Sequence, residues 1–108
     1  SVTSQTSMRR EGERIRRRLN DSEFTVALDR TGRRLSSEGL AKILDENEAR
    51  TVTFVIGGAA GLDDSVRQAA NLVVSMSDLT FTHEMARVIL MEQLYRAATI
   101  IVGKKYHN

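Results

Sequence analysis

Three short apolar runs alternate with amphipathic segments from residue 24 to the end of the chain. The runs at 24–29, 51–56 and 72–77 are rich in β-branched residues and predict strands. The run at 51–56 is nearly continuous in its apolar half, which is typical of a central parallel strand. Strands that alternate with helices predict a parallel sheet with helices on its faces. The pattern therefore indicates the α/β class, in a single domain over residues 1–108.

The segments between these runs predict helices and turns. Ser36 or Ser37 can cap a helix that runs to about Glu48, because a hydroxyl at this position accepts a bond from a free backbone N–H. A further short helix is predicted within residues 63–71, where the leading carboxylates suit a helix N-terminus. The pair Thr31-Gly32 predicts the turn that ends the first strand.

The last predicted helix, from Thr82 to about Val102, is apolar on nearly every side. Its apolar residues are Met85, Val88, Ile89, Leu90, Met91, Leu94, Ala97, Ala98 and Ile101. A helix of this kind is buried on more than one side, and a domain this small offers few ways to do so alone. A homodimer interface is the economical explanation.

The N-terminal part of the chain is polar and strongly basic. Residues 1–8 predict a flexible terminus, and residues 9–19 favour a helix. Residues 1–34 hold nine arginines against five acidic residues, whereas residues 35–108 hold seven basic against nine acidic residues. The basic end could contact phosphates, although a solvated helix face with Glu–Arg pairs explains it equally well.

Composition excludes several classes of site. Cysteine is absent, which removes disulfides, thiolate metal sites and cysteine nucleophiles. The two histidines have no second ligand three or four residues away, so we expect no metal. Residues 1–19 contain no continuous apolar stretch that could act as a signal peptide or membrane span. These observations predict a cytoplasmic protein without a membrane partner.

A glycine-rich segment, Gly57 to Gly61, follows the run at 51–56 directly. Open α/β sheets use such a turn to bring bare backbone close to a nucleotide-like ligand, although the same turn is often only structural. The segment matches neither the phosphate-binding loop of ATPases nor the alternating glycines of dinucleotide sites. A nucleotide-binding enzyme of either type is therefore disfavoured.

Several stretches, taken in order and spacing, resemble the small SPOUT-class methyltransferases that modify a pseudouridine in large-subunit ribosomal RNA. The matching stretches are residues 11–15, 28–29 with Gly32, 35–41, 54–58 with 61–62, 79–83 and 87–96. The resemblance covers the chain from about Arg10 to Asn108. It implies a C-terminal trefoil knot, in which the last segment threads a loop, and a homodimer.

The resemblance also implies the cofactor and its pocket. By matching position, S-adenosylmethionine would be bound, largely through backbone groups, by Leu28, Gly57, Met76, Ser77, Asp78, Leu79, Thr80 and Phe81. Small and apolar residues suffice where backbone groups make the contacts.

The implied reaction is methyl transfer to a ring nitrogen of a pseudouridine in the 23S rRNA of the assembled ribosome. It needs removal of an imide proton, which a histidine could assist because its unperturbed pKa is about 6.5. The catalytic residues implied are His83, Tyr106 and His107. The RNA contacts implied are Arg87, Arg14 and Arg17.

The chain departs from the family pattern at both ends. Thr82 and Lys105 stand where the family usually has proline, and Asn108 replaces a usual basic residue. The family's first strand and helix are also expected to be lacking here. The alternative hypothesis is therefore a noncatalytic RNA-binding or dimerisation module that retains the knot fold.

Overall fold

The computed structural model describes residues 23–57 and 61–107, without the side chains of residues 106 and 107. Strands and helices alternate strictly in these residues: β1 (Glu23–Arg34), α1 (Ser37–Glu46), β2 (Thr51–Ile56), α2 (Asp64–Ala69), β3 (Leu72–Ser75) and α3 (His83–His107). The predicted flexible terminus at 1–8 and the predicted helix at 9–19, which includes Arg14 and Arg17, lie outside the described residues.

The described sheet is parallel throughout and has the order β2-β1-β3. The predicted α/β class is therefore confirmed, but the prediction that residues 51–56 form a central strand is wrong. β1 is central, and its residues Thr25 to Leu28 are all buried because both faces and both edges are covered. β2 lies at the edge of the described sheet, where only Val55 is buried.

Helices cover both faces of the sheet. On one face α2 packs its buried Val66 against Ala27 and Val55 of the strands. On the other face Leu90 of α3 joins the cluster formed by β1 and β3. α1 lies against α3 on this same face, where Ala41 and Ala97 are almost completely buried. Two alanines at this contact let the helix backbones approach closely, and Phe54 of β2 packs against the same cluster.

β1 continues past Thr31-Gly32 to Arg34, so the prediction that this pair ends the first strand is wrong. Leu28 and Arg33 both pair with Val74, and residues 29–32 leave the ladder between them. We call residues 29–32 the β1 excursion. A Cβ on Gly32 would lie 2.6 Å from the carbonyl carbon of Val73, closer than a Cβ approaches other backbone atoms in folded proteins. Glycine is required here because the excursion rests directly on the β3 backbone.

The helix ends follow the capping residues closely. The Ser36 hydroxyl accepts a bond from the Gly39 N–H at 3.0 Å, which confirms the predicted cap, and α1 ends at Glu46, two residues before the prediction. Asp63 caps α2 in the same way.

The Thr82 hydroxyl accepts a hydrogen bond from the Met85 N–H at 3.2 Å, so threonine can begin α3 where the related family usually has proline. α3 continues past the predicted end at Val102 to His107.

Candidate functional site

A cavity of about 280 Å³ lies at the carboxyl ends of the strands. Its lining residues come from the end of β1 and the β1 excursion, the turn after β2, α2, the loop after β3 and the first turns of α3. They are Leu28, Asp29, Arg30, Thr31, Ile56, Gly57, Gly61, Arg67, Met76, Ser77, Leu79, Thr80, Phe81 and Ala86. Ligands of open α/β sheets bind at this end because loops from several strands converge there.

The cavity gathers all but one of the residues that the sequence singled out as cofactor-binding. Leu28, Gly57 and five residues of the loop at 76–81 line it. Asp78 does not, because its exposed carboxylate forms an ion pair with Arg34 at the end of β1. That ion pair connects the loop after β3 to β1 beside the cavity.

Asp29 holds the β1 excursion in shape. Its carboxylate accepts a bond from the Thr31 N–H at 3.1 Å and another from the Thr31 hydroxyl. This arrangement is an Asx turn, in which a short side chain replaces a backbone partner. Only 8% of the Asp29 side chain is exposed. The turn aims Arg30 and Thr31 at the cavity instead of returning them to the ladder with β3.

Arg67 of α2 ties the β1 excursion to the turn after β2. Its Nη1 donates to the Leu62 carbonyl at 2.7 Å and lies 3.5 Å from Oδ1 of Asp29. The same guanidinium forms an ion pair with Asp64. Gly61, next to Leu62, has a φ of +87°, a conformation that favours glycine. One side chain therefore fixes two of the segments that line the cavity.

Neither Asp29 nor Arg67 was among the site residues predicted from sequence. A carboxylate directly after a buried strand is a usable signal for Asp29, because the carboxyl end of a strand is where sites form. Arg67 has no comparable signal, since its spacing from Asp64 predicts only a helix-surface ion pair. Its contact with the Leu62 carbonyl depends on how α2 turns back toward the sheet.

The Asp29 carboxylate is stabilised in its charged form. Burial is the largest single influence on its pKa and raises it. The two hydrogen bonds from Thr31, the charge of Arg67 and a hydrogen bond from the Leu62 backbone act in the opposite direction and outweigh burial. The pKa of Asp29 therefore lies below its ordinary value, and its ionised state stabilises the folded chain.

The substitution Asp29→Asn should lower the free energy of unfolding at neutral pH by removing this charge, while its side-chain oxygen still accepts from Thr31. A lowered folded-state pKa stabilises fully above the unfolded-state pKa of about 3.9 and loses its effect as pH falls through the folded-state value. Urea denaturation of both proteins from neutral pH to about pH 3 should show the difference shrinking. A difference that stays constant over this pH range would contradict this account.

The residues predicted to be catalytic are not brought together within one chain. His83 is exposed at the first residue of α3, two residues after Phe81, and does not line the cavity itself. Tyr106 and His107 lie in the last turn of the same helix, about 36 Å away at 1.5 Å per residue, and their side chains are outside what the structure describes. Arg87 is exposed one turn after His83.

A second cavity of about 310 Å³ lies between the sheet, α1 and α3. Its walls are mainly core residues, and each of its polar side chains already has a partner within the chain. Ser37 bonds to Gln93 at 2.6 Å, Ser36 accepts from the Gly39 N–H, and Ser75 donates to the Ser77 carbonyl. This cavity has little left with which to recognise a polar ligand. In the described part of the chain, no cluster of three or more candidate ligands could hold a metal ion, and none of the helices has the length and hydropathy of a membrane span.

Known proteins match this chain over almost all of its length. The family profile described as predicted SPOUT methyltransferase matches residues 1–107. A protein of Syntrophotalea carbinolica named ribosomal RNA large subunit methyltransferase H is 46% identical over 103 residues, covering 93% of this chain and 66% of its own length. Proteins of the same name from Synechococcus sp. and Acetivibrio thermocellus are 47% and 43% identical, covering 92% and 100% of this chain.

The matched part corresponds to about two thirds of each relative, at 67% of the Synechococcus protein and 70% of the Acetivibrio protein. The match to the family profile nevertheless runs through every strand and helix that borders the cavity. The chain belongs to the SPOUT methyltransferase family.

Proposed function

We propose that this chain is an S-adenosylmethionine-dependent methyltransferase of large-subunit ribosomal RNA, acting in the cytoplasm on a pseudouridine ring nitrogen in the assembled ribosome. The observation that carries the proposal is the cavity at the strand ends. It collects Leu28, Gly57 and most of the loop at 76–81, which are the positions the family resemblance assigns to the cofactor. The relatives' names indicate the same substrate class.

The chemical character of the cavity fits this cofactor. Leu28, Ile56 and Phe81 supply apolar surface for an adenine ring, and Gly57 and Gly61 leave backbone accessible where side chains would fill the space. Thr31 and Thr80 offer hydroxyls on the same lining. Its volume of about 280 Å³ is close to the lower end of the range of about 300–1,000 Å³ typical of small-molecule sites.

We propose that the turn after β2 and the loop at 76–81 form part of the family's trefoil knot. Both segments line the same cavity from adjacent sides. Arg67 and the Arg34–Asp78 ion pair each connect one of these segments to β1 or the β1 excursion. A site built mainly from backbone needs such ties, because its geometry depends on where each loop lies.

Bound S-adenosylmethionine supplies an electrophilic methyl group on its sulfonium. The chain must orient the pseudouridine and accept its imide proton, and positioning supplies much of the rate in such a displacement. His83 is the proposed acceptor nearest to the cavity, beside its lining residue Phe81. Arg87, one turn further along α3, is exposed and can contact RNA phosphates.

We propose that the active form is a homodimer built on the exposed face of α3. Met85, Val88, Met91, Tyr95 and Val102 are at least half exposed and recur at helical spacing, which we call the α3 stripe. Because Tyr106 and His107 lie at the far end of α3 from their own cavity, a role for them in catalysis requires the cavity of a second copy. An interface along α3 could bring one chain's C-terminal end toward its partner's cavity.

Calorimetric titration with S-adenosylmethionine tests the cofactor assignment directly. We expect a dissociation constant on the order of micromolar for the chain, and no measurable binding for Thr80→Trp, whose indole would occupy the cavity. Thr80 is exposed, so the larger side chain does not disturb the core. Transfer of a labelled methyl group to purified assembled ribosomes should disappear in the same variant.

Thr51→Trp is the matched control, because Thr51 is exposed at the opposite end of β2 from the cavity. It should bind the cofactor as the unsubstituted chain does. Failure of the unsubstituted chain to bind would reject the enzyme assignment for this chain and favour the noncatalytic RNA-binding module. Equal loss in both variants would show that the cavity is not the site.

A further inference from the structure

We propose that Arg30 and Arg33, which we call the β1 arginine pair, form a contact surface for the phosphate backbone of the RNA substrate. The inference rests on the proposed function and adds to it a second RNA-binding element, separate from Arg87 and from the N-terminal arginines. It places part of the RNA path across the β1 excursion, at the edge of the cavity.

The position of the pair favours this role. Arg30 belongs to the β1 excursion and lines the cavity. Arg33 lies where β1 resumes its pairing with β3, opposite Val74. β3 is the strand that leads into the loop at 76–81. An RNA strand that presents a base to the cavity must carry its phosphates past this edge. The pair would therefore meet the nucleotides next to the target.

Arg30 and Arg33 differ from neighbouring arginines because neither forms an ion pair with a carboxylate of the described residues. Arg34 is engaged by Asp78, Arg67 by Asp29 and Asp64, and Arg96 by Glu92. Arg30 and Arg33 are both exposed, and no carboxylate within residues 23–57 and 61–105 forms an ion pair with either of them. The N–H groups of a guanidinium without a carboxylate partner remain available to donate hydrogen bonds to a phosphate.

The backbone beneath the pair is held on both sides. Asp29 fixes the start of the excursion through its bonds to Thr31, and Gly32 rests on the backbone of Val73. Arg33 is held in turn by its pairing with β3. Less conformational freedom is lost when a ligand binds to a surface that is already ordered. The arginines are thus presented from a fixed base, with only their side chains free to adjust.

The test uses the chain with purified assembled ribosomes and with a protein-free fragment of large-subunit rRNA as probes. Arg30→Gln and Arg33→Gln should each weaken binding of both probes several-fold. Each should also make the dependence of log affinity on log salt shallower by about 0.7–0.9, as expected for one lost phosphate contact. Cofactor titration of Arg33→Gln should match the unsubstituted chain, because Arg33 is not among the residues that line the cavity.

Lys42→Gln is the matched control, since Lys42 is exposed on α1 and this change also removes one positive charge. It should leave affinity and salt slope nearly unchanged. If the unsubstituted chain binds RNA and both arginine variants bind with the same slope, the inference is wrong and the proposed function stands. If the variants weaken binding to assembled ribosomes but not to protein-free rRNA, the pair contacts ribosomal protein instead. If the unsubstituted chain binds neither probe, the proposed function fails as well.

Discussion

Gly32→Ala should destabilise the chain by about 3 kcal/mol, a large part of the stability of a domain this size. The new Cβ would lie within 2.6–2.7 Å of backbone atoms of Val73 and Val74, which cannot move without separating β1 from β3. The pairing of Arg33 and Arg34 with β3 depends on the same contact. Urea denaturation measures the loss of stability, and cofactor titration should show weaker binding because the β1 excursion moves.

Gly103→Ala provides a control with the opposite expected sign. Gly103 lies within α3, and no described atom would come within 4 Å of a Cβ placed on it. The same substitution should therefore stabilise the helix by about 0.5–1 kcal/mol. A Gly32→Ala protein as stable as the unsubstituted chain would show that the excursion does not rest on the β3 backbone.

Met91→Glu should convert the proposed homodimer into a monomer. Met91 and Tyr95 are 66% and 69% exposed, near the middle of the α3 stripe, and an interface there would bury them. A carboxylate buried without a partner costs several kcal/mol, so the dimer dissociation constant should rise on the order of a hundredfold. Sedimentation velocity over a range of concentrations measures this change. Methyl transfer should fall with dimer content, if the far end of α3 completes the partner's cavity.

Gln68→Glu on α2 adds the same charge to an exposed position away from the α3 stripe, and it should leave the association unchanged. Cofactor binding separates two further outcomes. A monomeric Met91→Glu protein that still binds the cofactor but transfers no methyl group supports a site shared between copies. A dimer that persists in the variant would show that the α3 stripe is not the interface.

Local features of the fold were accessible from sequence because they depend on nearby residues. The strand runs could be recognised from β-branched content, and the Ser36 cap from a hydroxyl three residues before an N–H that it can reach. Strand order was not accessible in this way. The run at 51–56 is strongly apolar, but β1 is central because it pairs with both neighbours, and pairing partners leave no mark in either strand.

Some residues of the candidate site could likewise be predicted from sequence, and others could be found only in the structure. Leu28, Gly57 and the loop at 76–81 could be named in advance because the resemblance assigns them, and the structure places most of them on one cavity. The roles of Arg67 and the β1 excursion could not be predicted in advance. Their importance comes from contacts across 38 residues of chain, which form only when α2 returns to the sheet beside β1. The ion pair of Asp78 with Arg34, 44 residues away, has the same origin.

Residue type, spacing and matched motifs were enough to predict the α/β class, the alternation of strands and helices, the Ser36 cap, the apolar character of α3 and the family. Each of these depends on residue type and spacing over a few turns or on matched motifs. Packing between distant segments decided that β1 is central in the described sheet, that residues 29–32 leave the ladder and that Arg30 lines the cavity, while the two ends of α3 lie far apart. These features arise from packing between distant segments, and packing selects among arrangements that the local pattern permits equally.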